Sequence, residues 1–175
     1  MLELVGFGGR LGMTSLSAVL LVSAASHIRH IADLEHALGM QGLGLYRKGL
    51  SRVVPLAEMV AGLAGIGSLV LTNTTFRAFL AAAVPALLLV YMAYLGWLSS
   101  RSYTGPCGCP GRSGVALKDS ARVSTSLAIF GAGFAIASLV PMPSTFYWPA
   151  LLLPAGTIAG YLILRLPAAN AAARW

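Results

Sequence analysis

The chain has 175 residues, of which 57% are hydrophobic and 10% charged, with a net charge of +7. A water-soluble domain carries roughly a quarter charged residues; this chain lacks the polar side chains to coat a surface in water and is read as an integral membrane protein. No P-loop, dinucleotide fingerprint, nucleophile elbow or H-E-x-x-H run occurs, which removes the usual signatures of those soluble enzyme classes, and the positive charge reads as attraction to anionic headgroups, with no nucleic-acid role.

Lipid offers no hydrogen-bond partner to a bare peptide group, so each spanning segment is read as a helix. Five apolar runs of about the 20 residues that a hydrocarbon core requires occur at 11–28, 53–72, 76–98, 123–140 and 146–166. The expected fold is an all-α polytopic membrane bundle of four to five transmembrane helices, one domain over residues 1–175. The last two runs are the least secure, because Pro141, Pro143, Pro149 and Pro154 make a kinked or partly re-entrant fifth segment an alternative.

In the first run, Arg10 ahead of "LSAVLLVSAAS" has the layout of a cleavable signal peptide, but the apolar pattern continues through Ile28, Ile31 and Leu34, which favours an uncleaved helix. Ile28, Ile31, Leu34 and Leu38 then recur at three- and four-residue steps, with Arg29, Asp33 and His36 on the other side. This predicts an amphipathic extension over 29–38 lying in the interface, with Arg29 and Asp33 spaced to pair and Gly39, Gly42 and Gly44 ending it.

"VVPLAEMVAG" opens the second run and places Glu58 about one and a half turns in, roughly 8 Å below the interface at 1.5 Å per residue. A carboxylate in lipid is costly and normally faces the bundle interior. Two readings stand: a proton carrier or anchor for a polar headgroup or quinone, and a structural hydrogen bond to another helix or to Arg52. Pro85 predicts a kink in the third run. Ala61 with Gly65 and Gly131 with Ala135 are small residues at four-residue spacing that let helices approach. Tyr91, Tyr94, Trp97, Tyr103, Tyr147 and Trp148 read as an interfacial aromatic belt.

The loop over 99–122 contains "GPCGCPG" and the only two cysteines, Cys107 and Cys109. Cysteines one residue apart close a disulfide only through a tight turn, for which Gly108 supplies the backbone freedom. A bridge in so small a ring is expected to be strained and exchange-prone, and Arg101 and Arg112 nearby favour the thiolate. A reversible dithiol/disulfide pair is one reading; two inert loop thiols are another. A third is a zinc site in which His27 and His30, three apart, join the two cysteines, with His36 too far round the helix to contribute.

The first and third connections of the chain share a membrane side whatever the orientation, so the histidine-bearing extension and the cysteine loop face one compartment. With that side inside, ten basic residues (Arg29, Arg47, Lys48, Arg52, Arg101, Arg112, Lys118, Arg122, Arg165 and Arg174) face two outside, Arg10 and Arg77. The positive-inside rule then places the cysteine loop in the cytoplasm.

Together, "SHIRHIADLEHAL", "LSRVVPLAEMVAGLAGIGSLVL", "GPCGCPG" and "LKDSARVSTSLAIF" resemble the MauE branch of the MauE/DoxX membrane-protein family over roughly residues 15 to 135. Pro55, Glu58, Gly62, Cys107, Gly108, Cys109, Gly111 and Arg122 line up with the family pattern, whereas Pro110 stands where the family usually has an aromatic. The resemblance implies a small helical-bundle protein of the cell membrane associated with thiol redox work and a thioredoxin-like partner; MauE itself is linked to the maturation of methylamine dehydrogenase. It favours an outer-face cysteine loop, against the charge count, and the side stays open. The expected function is a membrane component of a thiol–disulfide redox or protein-maturation pathway. Cys107, Cys109 and Glu58 would carry the chemistry, with a quinone as the one cofactor the chemistry suggests and no metal. A non-catalytic scaffold for a thioredoxin-like partner is the competing class.

Overall fold

The computed structural model describes residues 2–71, 73–101 and 117–139, with side chains for 5–71, 73–101 and 125–139. Every regular element among them is helical: α1 (Leu2–Arg29), α2 (Ile31–Leu38), a π-helical turn at Gly39–Leu43, α3 (Arg47–Val70), α4 (Thr74–Ser100) and α5 (Leu117–Ser138). Three stretches, Val5–Arg29, Arg47–Val70 and Thr74–Ser100, are long and apolar enough to cross a bilayer, and α5 adds the shorter apolar run Thr125–Ser138. The all-α membrane bundle expected from composition is therefore what forms. The first four apolar runs correspond to α1, α3, α4 and α5; the fifth, at 146–166, lies outside the described residues.

α1 and α4 each pack along both α3 and α5 and barely meet one another, so the four helices form a ring with α1 diagonal to α4. The centre is filled by Met13, Leu16 and Leu20 of α1, Ala61 of α3, Val84 and Leu88 of α4, and Ala128 and Ala135 of α5. Leu56, Val60, Leu63, Phe79, Val90 and Phe130 point outward and are exposed, as side chains facing lipid are. Because lipid tails are as apolar as leucine, close packing and hydrogen bonds, more than the hydrophobic effect, must hold such helices together.

Small residues make that approach possible. A Cβ added at Gly65 would lie 2.1 Å from Ser17 Oγ and 2.9 Å from Val84 Cγ2, whereas one at Gly67 would meet only Leu80 Cδ1, at an ordinary 3.7 Å. Gly65→Ala is expected to destabilise the bundle by about 1–3 kcal/mol, the usual cost of overpacking, and Gly67→Ala to leave it unchanged. Thermal unfolding of the two variants side by side in one detergent checks this.

α3 begins at Arg47, six residues before the Val53 start that hydropathy predicts. Arg47, Lys48 and Arg52 are exposed, which ends the apolar run without ending the backbone hydrogen bonding. α2 packs against this first part of α3, burying Leu34, Ala37 and Leu38, and Ser51 Oγ donates to Glu35 Oε1 at 3.2 Å. The helical extension is present as α2, and of its predicted apolar stripe Leu34 and Leu38 pack inward while Ile28 and Ile31 stay exposed. Asp33 pairs with His30, at 3.6 Å, instead of with Arg29. The chain leaves α2 through Gly42, whose φ of 84° lies in the left-handed region that glycine tolerates and side-chain-bearing residues resist.

At the opposite end, Arg77 ties three helices. From the first turn of α4 its Nε donates to Ser68 O of α3 at 3.1 Å and its Nη2 to Ser138 O of α5 at 2.7 Å. Both carbonyls belong to the last turns of their helices, where no intrahelical donor remains and the helix dipole favours a cation. Pro55 and Pro85 are both buried inside continuous helices.

Candidate functional site

The inward face of α3 is a stripe of Ser51, Pro55, Glu58, Ala61, Gly62, Gly65 and Ser68, spaced at three and four residues as a buried helix face requires. In this stripe of otherwise small, uncharged residues Glu58 is fully buried, at 0% exposure. It lies eleven residues from the first residue of α3, about 16 Å along the axis at 1.5 Å per residue. That is three turns in from the helix start, the first turns being those that carry the exposed Arg47, Lys48 and Arg52.

Three side chains from two other helices converge on this carboxylate. Ser23 Oγ of α1 donates to Oε1 at 2.7 Å, Tyr91 Oη of α4 donates to the same oxygen at 2.7 Å, and His27 Nδ1 of α1 stands 2.8 Å from Oε2. Ser23 and His27 are four residues apart and so share a face of α1; the small residues Ala61 and Gly62 beside Glu58 leave room for that face. An ionised carboxylate is acceptor-only, with two oxygens that together can accept from several donors at once. The structural alternative of a bond to Arg52 is not realised: Arg52 is exposed, and the partners come from α1 and α4.

Further polar and aromatic contacts continue toward the end of α4. Tyr94 hydrogen-bonds through its hydroxyl to Gln41 of the π-helical turn and stacks on Trp97 with ring centroids 6.0 Å apart. The Arg101 guanidinium carbon sits 4.3 Å from the centroid of the Trp97 ring, a cation–π distance. Tyr91, Tyr94, Trp97 and Arg101 therefore follow one edge of α4 from Glu58 to its final residues. Tyr91 turns inward to bond the buried Glu58, whereas Tyr94 bonds Gln41 of the connection near the helix end. Tyr103, Tyr147 and Trp148 lie outside the described residues. The Tyr94–Gln41 contact also places the end of α4 beside the first connection of the chain, on the side that parity predicts.

The histidines part company. His27 is buried at 7% exposure, while His30 sits in the turn after α1 with its side chain 64% exposed. Their three-residue spacing implied a shared face only if α1 ran through both, and it stops at Arg29. Among the described residues no group of three or more His, Cys, Asp or Glu could hold a metal ion; Cys107 and Cys109 lie outside those residues. His27 is thus a site residue that the sequence reading considered only beside His30 and the cysteines, without its bond to Glu58. The usable signal was Ser23 and His27, two polar residues four apart in an apolar helix, which must turn inward together.

A multi-pass helical membrane protein whose interior holds a buried glutamate, bonded from two neighbouring helices, is the class that fold and site define. A family model described as "Methylamine utilisation protein MauE" matches residues 10–144, and the chain belongs to the MauE family. Glu58, His27, Tyr91 and both cysteines fall within the matched segment. No curated protein and no solved structure is significantly similar to the chain.

Proposed function

We propose that this chain is the cell-membrane component of a thiol–disulfide redox or protein-maturation pathway, with Cys107 and Cys109 as a reversible dithiol/disulfide pair and Glu58 in the intramembrane proton site. In one cycle the Cys107–Cys109 disulfide takes two electrons and two protons from the dithiol of a thioredoxin-like partner, which leaves as a disulfide. The reduced pair then re-forms its S–S bond, giving two electrons and two protons to a membrane quinone, which becomes a quinol. Such a relay needs a place for protons inside the bilayer. The supporting observation is the Glu58 cluster itself, bonded to Tyr91 on the edge of α4 that also carries Tyr94 and Trp97 and ends at Arg101, where the cysteine-bearing segment follows in the sequence. Membership of the MauE family agrees with this reading without naming a substrate.

Labelling whole cells with a membrane-impermeant thiol reagent, before and after reduction, tests it. The expected result is a pair that labels only after reduction in part of the population, and from one side of the membrane, which also fixes the orientation. Thiols that never oxidise in the living membrane overturn the relay and leave a non-catalytic membrane scaffold, in which Glu58 serves only to join α1, α3 and α4.

A further inference from the structure

Glu58 makes every contact its two oxygens need, but His27 does not. Its Nδ1 is engaged with Glu58 Oε2 at 2.8 Å, while its Nε2 is buried and has no hydrogen-bond partner among the described residues. An imidazole held by a carboxylate at one nitrogen and open at the other is the arrangement that orients a reactive histidine, because the bound nitrogen fixes the ring and the tautomer and the second nitrogen is left to react. We infer that His27 Nε2 is the atom at which this site exchanges a proton with the reacting system, and that Glu58 is its positioning and proton-storing partner.

The proton bookkeeping closes without any movement of the ring. In the unloaded form Glu58 is a carboxylate, His27 carries its hydrogen on Nδ1, and Nε2 presents a lone pair. A proton arriving at Nε2 gives an imidazolium beside the carboxylate. Transfer of the Nδ1 hydrogen to Oε2 then leaves a neutral imidazole of the opposite tautomer and a neutral carboxylic acid. One proton has entered at Nε2 and one is stored on Glu58, so the net charge of the pair changes from −1 to 0; release reverses each step. Ser23 and Tyr91 hold Oε1 throughout, which keeps Oε2 for His27.

Among the described side chains few other charges face His27, and α5, which also packs along α1, has no titratable group over 125–139. From α3 the titratable group facing His27 is Glu58, and from α4 Tyr91 bonds to the same carboxylate. α2 buries only Leu34, Ala37 and Leu38, and its Glu35 is engaged with Ser51, two turns from Glu58 on α3. The inference deepens the proton-site part of the proposed function and rests on that part alone, since it requires no cysteine chemistry to be observed.

The test is nitrogen NMR of histidine-labelled protein in lipid nanodiscs from about pH 5 to 9. Exposed His30 and His36 are replaced by glutamine so that His27 is the single histidine. The expected result is an Nε2 signal that moves between its unprotonated and protonated ranges across the series. In Glu58→Gln the amide nitrogen faces Nδ1 as a donor, and His27 is expected to lock as the Nε2–H tautomer at neutral pH. An Nε2 signal in the wild-type background that is unchanged at every pH overturns the inference, whether or not the glutamine variant folds. That outcome is separable from failure of the redox reading, which the cysteine labelling reports: a titrating His27 with thiols that never oxidise removes the relay and keeps the proton site.

Discussion

Glu58→Ala is expected to cost more stability than removing any one of its partners, and to do so by leaving Ser23, His27 and Tyr91 without their shared acceptor. In a water-soluble protein each buried polar group so stranded costs about 1–3 kcal/mol. Within lipid the penalty is smaller, about 0.6 kcal/mol on average for an interhelical hydrogen bond, because helices separated in the membrane find other partners. Three bonds lost together therefore amount to roughly 2 kcal/mol even on the lower scale, against a single bond for Tyr91→Phe or Ser23→Ala. Glu58→Gln should fall near the single-bond variants, since its amide keeps the volume, an acceptor for the two hydroxyls and a donor toward His27. Unfolding midpoints of the four variants in one detergent decide the matter. Should the alanine variant be no worse than Tyr91→Phe, the carboxylate does not organise the junction of α1, α3 and α4, and the convergence of donors upon it has no energetic weight.

The all-α membrane bundle was legible because composition and the length of apolar runs are governed by the bilayer, which admits few solutions for a backbone that must bond to itself. Helix ends were less legible. A hydropathy pattern marks which residues tolerate lipid, and α3 continues through Arg47, Lys48 and Arg52 because α2 packs beside those turns, a tertiary fact that no local window contains. Glu58 was visible as an ionisable residue in an apolar run, and its inward orientation followed from cost alone. Its partners were not visible, because they come from helices 35, 31 and 33 residues away in the sequence. For His27 the error lay in one turn: the spacing to His30 suggested a shared face, whereas α1 ends between the two. Tyr91 had a second plausible location, the interfacial belt, and only the position of Glu58 opposite it decides between them.

Replacing one cysteine of the pair is expected to capture the partner, and replacing both is expected to release it. Thiol–disulfide exchange passes through a mixed disulfide that a second thiol must resolve. With Cys109→Ser, a mixed disulfide formed at Cys107 has no neighbouring thiol to displace the partner, and the same holds for Cys107→Ser at Cys109. One of the two single variants should therefore accumulate a covalent complex with a thioredoxin-like protein. The complex should be visible as a larger species on non-reducing gels and vanish on reduction. The variant that accumulates more identifies the attacking sulfur; the other cysteine is the resolving one. Cys107→Ala with Cys109→Ala should give no complex and leave disulfide-dependent client proteins immature. If the double variant leaves those clients fully matured and neither single variant traps a partner, electrons do not pass through this pair, and the buried Glu58–His27 unit must act in some process other than thiol exchange.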